Sequence, residues 1–193
     1  MSEGLRHEIF ERRQQQGRPW HSPPHWRSDR TDRYLFTSAC YEHIPVIGTS
    51  AQRMADFEGQ LLSAVEGMSE QLHAWVILPN HYHFLATTGE PMILLAALGK
   101  MHGRTSFRWN NEDGRRGRKV WYNAAETAMK SERHFWATLN YIHHNPIKHG
   151  YAEKWQDWPF SSASSFLDRC GQVEALRLWK EYPVDEYGKG WDD

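Results

Sequence analysis

From Gln71 to Thr87 the chain is rich in strand-forming aromatic and aliphatic residues and is broken once, at Pro79-Asn80. No other segment constrains the fold as much. Such residues favour a pleated, half-buried backbone. Pro79 cannot donate to a ladder, so the run is either one bent strand or two strands with a short turn, with the proline at an edge or a bulge. The same run contains His81-Tyr82-His83. On a strand, residues i and i+2 share a face. Both imidazoles then stand side by side, while Tyr82 points the other way and is structural. Paired imidazoles suit a shared metal ion, and a shared metal suits phosphate chemistry. The bland reading of the spacing alone is two histidines on an exposed strand.

Other elements follow from local pattern. Arg33 to Tyr41 reads as a strand from its aromatic and threonine content. Ser50 to Gly67 carries Met54, Phe57, Leu61, Leu62 and Val65 at helical spacing. Pro91 to Trp109 reads as a helix with proline in its first turn. Asn110 to Arg118 reads as a turn-rich basic loop, and Lys119 to Asn123 as a short strand. Ser131 to His144 reads as a helix capped by Ser131, with Pro146 barring simple continuation. The alternation of strands and helices predicts an α+β domain with helices packed on one sheet. Residues 1–32 read as a polar arm with a short helix near Arg6 to Gln16, 33–170 as the domain, and 171–193 as a C-terminal tail.

Composition narrows the setting. The 193 residues suffice for one domain with a real core. Ten Trp and twelve His supply flat, partly polar rings that suit base stacking as well as an ordinary core. The net charge of -1 gives no global basic signal. Lys100 to Lys119 nevertheless holds seven Lys or Arg against Glu112 and Asp113, which can serve as a local phosphate footprint or a solvated loop. Cys40 and Cys170 are isolated, which fits a reducing compartment. No apolar run reaches membrane-spanning length, so the expected location is the cytoplasm, with no membrane partner.

A second constellation is Tyr141-Ile142-His143-His144-Asn145-Pro146. On a helix, Tyr141 and Asn145 are i and i+4 and share a face. A tyrosine oxygen can attack phosphorus when a metal polarises the phosphate. Free tyrosine has a pKa near 10 and needs such help. Asn145 has an amide oxygen to offer a metal. The plain reading is a core-edge aromatic and a helix end before proline. His143, His144 and His149 surround the tyrosine in sequence, and sequence does not choose a proton acceptor among them.

LPNHYHFL, then YIHHNPIKHGY, then WPFSSASSF together resemble the single-tyrosine HUH transposases, and in particular the REP-associated tyrosine transposases. The resemblance runs from about Tyr34 to Phe166. It implies a ferredoxin-like HUH endonuclease fold with a central antiparallel sheet. It implies metal ligation by His81, His83 and Asn145, with Mg²⁺ or Mn²⁺ as the ion, and Tyr141 as the nucleophile. The implied reaction cuts and rejoins single-stranded DNA through a 5′-phosphotyrosine, as in transposition and DNA recombination. The implied substrates are palindromic repeats that fold into hairpins, bound by a monomer or a homodimer. Arg104, Arg108, Arg115, Arg116, Arg118 and Lys119, with the Arg-bearing arm before Tyr34, are the candidates for contacting DNA backbone. Trp109, Trp121 and Tyr122 are the stacking candidates. Relatives carry Gln after the tryptophan where Tyr122 stands here.

Two other classes compete. A DNA- or RNA-hairpin-binding protein without catalysis would keep the fold and lose the chemistry; the competent residues at all three catalytic positions argue against decay. A structural zinc protein would need a His/Cys tetrad, which the two cysteines and the histidine spacing do not provide.

Overall fold

Strands β1 (Arg33–Ala39), β2 (Gln71–Ile77), β3 (His81–Thr87) and β4 (Ala125–Ala128) pair antiparallel in the spatial order β2-β3-β1-β4. Helix α1 (Ala51–Glu66) links β1 to β2, and α2 (Pro91–Glu112) links β3 to β4. This βαββαβ order, with β3 between β1 and β2, is the ferredoxin-like arrangement. Three helices follow: α3 (Glu132–Lys148), α4 (Ala163–Cys170) and α5 (Gln172–Glu181). The structure is a computed structural model and describes residues 32–184 and Tyr187. The polar arm, with its expected helix near Arg6 to Gln16, lies outside the described residues apart from Asp32.

Gln71 to Thr87 forms two strands. Ile77 pairs with Tyr82, and Leu78 N–H donates to the His81 carbonyl at 2.8 Å, closing a tight turn around Pro79-Asn80. Gly48 packs directly on this turn. A Cβ at Gly48 would sit 2.4 Å from Pro79 Cβ, and Gly48 N–H donates to the Pro79 carbonyl at 2.9 Å. The outer side of β2 is not bare, because Ile77 N–H donates to the Phe160 carbonyl and Ser162 N–H to that of Trp75.

The sheet is covered on both faces. Phe36, Tyr82 and Phe84 pack with Phe57 and Leu61 of α1 and Leu98 and Trp109 of α2. Leu35, Val76 and Leu85 pack with Phe135, Leu139 and Ile142 of α3, Phe166 of α4 and Leu178 of α5. Two covered faces explain why β3 is buried along nearly its whole length and not at alternate residues. Ser50 Oγ accepts from Arg53 N–H at 3.1 Å and Ser131 Oγ from His134 N–H at 3.0 Å. Each cap stabilises its helix by about 1 kcal/mol.

Four expectations need correcting. Helix α2 runs three residues past Trp109, to Glu112. The fourth strand is Ala125–Ala128, whereas 119–123 makes only an isolated bridge, Trp121 to Cys40, past the end of β1. Helix α3 continues through Pro146 to Lys148. The missing N–H falls in the last turn, where His149 N–H to the Asn145 carbonyl (3.1 Å) and Gly150 N–H to that of Ile147 (2.9 Å) still close the helix. Residues 172–181, assigned to the tail on sequence grounds, form α5 and bury Ala175 and Leu178 against the second face. Among the described residues no helix is long and apolar enough to cross a membrane.

Candidate active site on the second face of the sheet

His81 and His83 lie on β3, with strands on both sides, and both point toward α3 with ring centroids 5.1 Å apart. Tyr82 points to the opposite face, fully buried, with its hydroxyl 3.0 Å from His102 Nε2. The alternation expected from a two-residue period is realised.

Helix α3 crosses that face and presents Tyr141, Asn145, Lys148 and His149 at i, i+4, i+7 and i+8, which is one stripe. Tyr141 packs edge-on against His83 with centroids 5.4 Å apart. Asn145 Oδ1 lies 3.0 Å from His81 Nε2. His149 packs against His81 at 4.9 Å, and Lys148 Nζ stands 5.3 Å from the Tyr141 ring centre. Lys148 escapes a reading by sequence, because a helix that ends at His144 leaves it outside, and of the three histidines near Tyr141 in sequence it is His149 that reaches the site. The spacing of Lys148 from Tyr141 is the signal that could have found it. Tyr187 also stands against Tyr141, at 5.6 Å, and Tyr141 is only 1% exposed.

The other two histidines near Tyr141 in sequence face elsewhere. His143 Nε2 meets Ser162 Oγ at 3.0 Å, and its ring lies among Trp155 and Phe166. Burial, with a smaller contribution from Arg169, pushes its pKa down to about 3, so it is neutral. His144 packs on Trp179, and burial lowers its pKa as well.

The lone pairs around His81 decide what the site can hold. Asn80 Nδ2 donates to the His43 carbonyl at 3.2 Å, which turns Asn80 Oδ1 toward His81 Nδ1 at 2.8 Å. Nδ1 therefore carries the proton, and a neutral ring offers a lone pair at Nε2. Asn145 Oδ1 accepts from Nε2 where that nitrogen carries a proton, and where it does not, the two acceptors at 3.0 Å can share a cation. Octahedral coordination at about 2.0–2.1 Å separates neighbouring ligands by roughly 3 Å, so the pair has the spacing of adjacent ligands on one ion. Asn145 Nδ2 is buried without an acceptor among the described residues, as expected of an amide turned toward a cation. Among those residues no three His, Cys, Asp or Glu side chains form a metal cluster. The backbone that anchors Asn80 is unusual. Glu42 and His43 both have positive φ (56° and 55°), a conformation that strains non-glycine residues and is found at sites where geometry matters.

The candidate DNA-contacting residues separate into groups. Trp109 and Trp121 are buried in the first-face core, and Trp121 Nε1–H donates to Thr105 Oγ1 at 3.0 Å, so neither is placed to stack on a ligand from solvent. Tyr122, next along the chain, is half-buried and packs on Tyr41 at 5.1 Å. Arg118 is occupied internally: Nη2 bonds Asp113 Oδ2 at 2.7 Å and Nε bonds Asn110 Oδ1 at 2.9 Å. Asp113 also binds buried Arg53 at 2.6 Å, and these two arginines hold its carboxyl down at about 2. Arg108 makes long ion pairs with Asp56 (3.9 Å) and Glu112 (3.5 Å). Arg104, Arg115, Arg116 and Lys119 are exposed and pair with no carboxylate among the described residues.

No protein-family model matches the chain. It is similar to a REP-associated tyrosine transposase of Escherichia coli (strain K12), 28% identical over 100 residues, covering 48% of this chain and 53% of that protein. A Haemophilus influenzae protein, named a putative REP-associated tyrosine transposase, is 32% identical over 100 residues, covering 45% of this chain and 54% of the relative. The chain thus spans about half the length of these curated relatives. Its fold is similar to the solved structure of a REP-associated tyrosine transposase bound to a REP hairpin. That match has a TM-score of 0.54 and 21% identity over 80% of this chain and 84% of the other. The sequence resemblance to this transposase family and the α+β fold therefore both stand.

Proposed function

We propose that this chain cleaves and rejoins single-stranded DNA beside hairpin-forming palindromic repeats, using Tyr141 as the nucleophile. The observation that carries the reading is the convergence of one helix stripe, Tyr141 and Asn145, on two same-face imidazoles, His81 and His83. The similarity to REP-associated tyrosine transposases, one of them solved on a REP hairpin, supports the substrate class.

His81, His83 and Asn145 would hold Mg²⁺ or Mn²⁺; imidazole ligation suits Mn²⁺ and availability suits Mg²⁺. The ion supplies positive charge to the scissile phosphate. The protein's own residues do the rest. Asn80 fixes the His81 ring so that Nε2 faces the site. Tyr141 Oη attacks phosphorus, a new P–O bond forms to the tyrosine, and the bond to the 3′ oxygen breaks. The phenolic proton is given up, and the departing 3′ oxygen takes one up as a hydroxyl. Lys148 adds a cation against the negative charge that gathers at the phosphate in the transition state. Attack by a 3′-hydroxyl reverses the step. One phosphodiester replaces another, so no nucleotide cofactor is needed. Because Tyr141 is nearly inaccessible, the side chains covering it, Tyr187 among them, have to move before a phosphate reaches the oxygen.

That burial favours one competing reading, a hairpin-binding protein without catalysis. A covalent-capture assay decides. Fluorescent single-stranded hairpin DNA incubated with protein and Mn²⁺ should yield an adduct that survives denaturing gels. Tyr141→Phe should abolish it. DNA cleavage that persists in Tyr141→Phe would refute the assignment, and no adduct with the unaltered protein would leave the binding-only reading.

A further inference from the structure

The chemistry at Tyr141 and Lys148 gives His149 no task, yet a file of rings begins there. The His149 ring centre lies 4.9 Å from that of His81, Tyr151 lies 6.5 Å from His149, and Trp158 lies 5.5 Å from Tyr151. The file is open to solvent at Tyr151, which is 42% exposed.

Local bonding fixes these rings. Gly150 takes a left-handed conformation (φ 71°) just past the end of α3. Its N–H donates to the Ile147 carbonyl at 2.9 Å, and Tyr151 N–H donates to that of Pro146 at 2.8 Å. These are the paired bonds that close a helix on glycine, and they turn the chain back so that Tyr151 sits beside the helix end. Trp158 Nε1–H donates to the Ile77 carbonyl at 2.9 Å, which ties the next ring to the end of β2. The backbone under the exposed ring is therefore set before any ligand arrives, which lowers the ordering cost of stacking on it.

The direction of the file decides what it can hold. Along α3, Asn145 lies one turn, roughly 6 Å, beyond Tyr141, and His149 lies roughly 12 Å beyond it. A phosphate beside His81, His83 and Asn145 then has Tyr141 on one side and His149 and Tyr151 on the other. Displacement at phosphorus puts the attacking and leaving oxygens roughly in line. With Tyr141 attacking, the 3′ oxygen departs toward His149 and Tyr151. Every base has a π-face that can stack on an exposed aromatic ring.

We propose that Tyr151 stacks on the base of the nucleotide whose 3′ oxygen departs, and so keeps the new 3′-hydroxyl beside the phosphotyrosine for rejoining. The inference rests on the DNA-processing reading and adds which cut end the protein holds without a covalent bond.

Covalent capture of fluorescent single-stranded hairpin DNA with Mn²⁺ first maps the cut. Fluorescence anisotropy then measures binding in a Tyr141→Phe background, which keeps the DNA whole. Three probes are compared: the intact strand, the strand made abasic at the nucleotide with the departing oxygen, and the strand made abasic at the nucleotide that joins Tyr141. Loss of the departing base should weaken binding roughly ten-fold, the order expected of one base–aromatic contact. With Tyr151→Leu added, the intact probe should bind that much more weakly, and loss of the same base should then cost nothing further. Tyr151→Phe keeps the ring and should keep the full effect of the departing base. Loss of the other base should have the same effect with or without Tyr151→Leu. Should Tyr151→Leu fail to fold, Tyr151→Gln carries the same comparison. Losses that simply add for Tyr151→Leu and the departing base mark two independent sites and overturn this inference alone, as does a coupling of Tyr151 to the other base. Failure of the unaltered protein to cleave the DNA overturns it together with the DNA-processing reading.

Discussion

Asn145 Oδ1 and His81 Nε2 face each other at 3.0 Å while Asn80 holds the far nitrogen of the same imidazole at 2.8 Å. The imidazole is thus held from both sides, and under the metal-site proposal Asn80 orients a ligand that Asn145 completes. Removing a partner that orients a ligand in this way typically changes metal affinity by about 10–100-fold. Asn80→Ala should weaken Mn²⁺ binding by about that factor, and Asn145→Leu by at least as much. Electron paramagnetic resonance of free Mn²⁺ in dialysed protein reads both. Unchanged affinity in the two variants would take the ion out of this site.

Tyr141→Phe removes one oxygen from a buried ring that packs on His83. Covalent capture of DNA should fall to background while hairpin affinity stays nearly constant. A parallel loss of binding would show that Tyr141 serves recognition and not attack.

The exposed cations of the basic loop should differ from the occupied ones. Arg115→Ala, Arg116→Ala and Lys119→Ala should each reduce the salt dependence of DNA binding, by roughly 0.7–0.9 in log–log slope for each phosphate left without its cation. Arg118→Ala should chiefly lower stability, since Arg118 is spent on Asp113 and Asn110. Titrating affinity against salt for the four variants separates the groups, and identical slopes throughout would put the DNA elsewhere.

Asp113→Ala should destabilise the fold by about 2 kcal/mol, less than a fully buried pair would cost because its carboxylate is partly exposed. Arg53 is only 8% exposed and would be left with Glu112 as its remaining carboxylate. Urea unfolding measures the loss. A change below about 0.5 kcal/mol, the usual range for surface substitutions, would mean that water replaces the pair without cost.

Acid should weaken the protein through its buried histidines. Burial pushes His102 down to about 4 and His143 to about 3, against a value near 6.5 when unfolded. Below pH 6.5 the unfolded chain binds protons that the folded chain refuses. The stabilisation is complete above that pH and is lost as pH falls toward the folded values, at up to about 1.4 kcal/mol per pH unit for each group. The melting temperature should therefore drop between neutral pH and about pH 5, and less steeply in His102→Phe, which keeps a ring against Trp121. An equally steep curve in that variant would assign the acid sensitivity to other groups.

Features that depend on local period were legible in the order of residues alone. The two-residue repeat of a strand put His81 and His83 on one face and Tyr82 on the other. The break at Pro79-Asn80, the serine cap at Ser131, and the shared face of Tyr141 and Asn145 were likewise readable, because each is set within a few residues. Features that depend on distant partners waited for the folded chain. Only packing on the second face carries α3 through Pro146 and brings Lys148 and His149 into line with Tyr141. Only the Arg53–Asp113–Arg118 cluster tells which cations of the basic loop are occupied. The bridge from Trp121 to Cys40 decides that Trp121 enters the core and that Tyr122, one residue on, packs on Tyr41. Local backbone geometry repeats along a segment and can be read from it. Which electron pairs, rings and charges meet across the fold depends on the register between segments far apart in the chain.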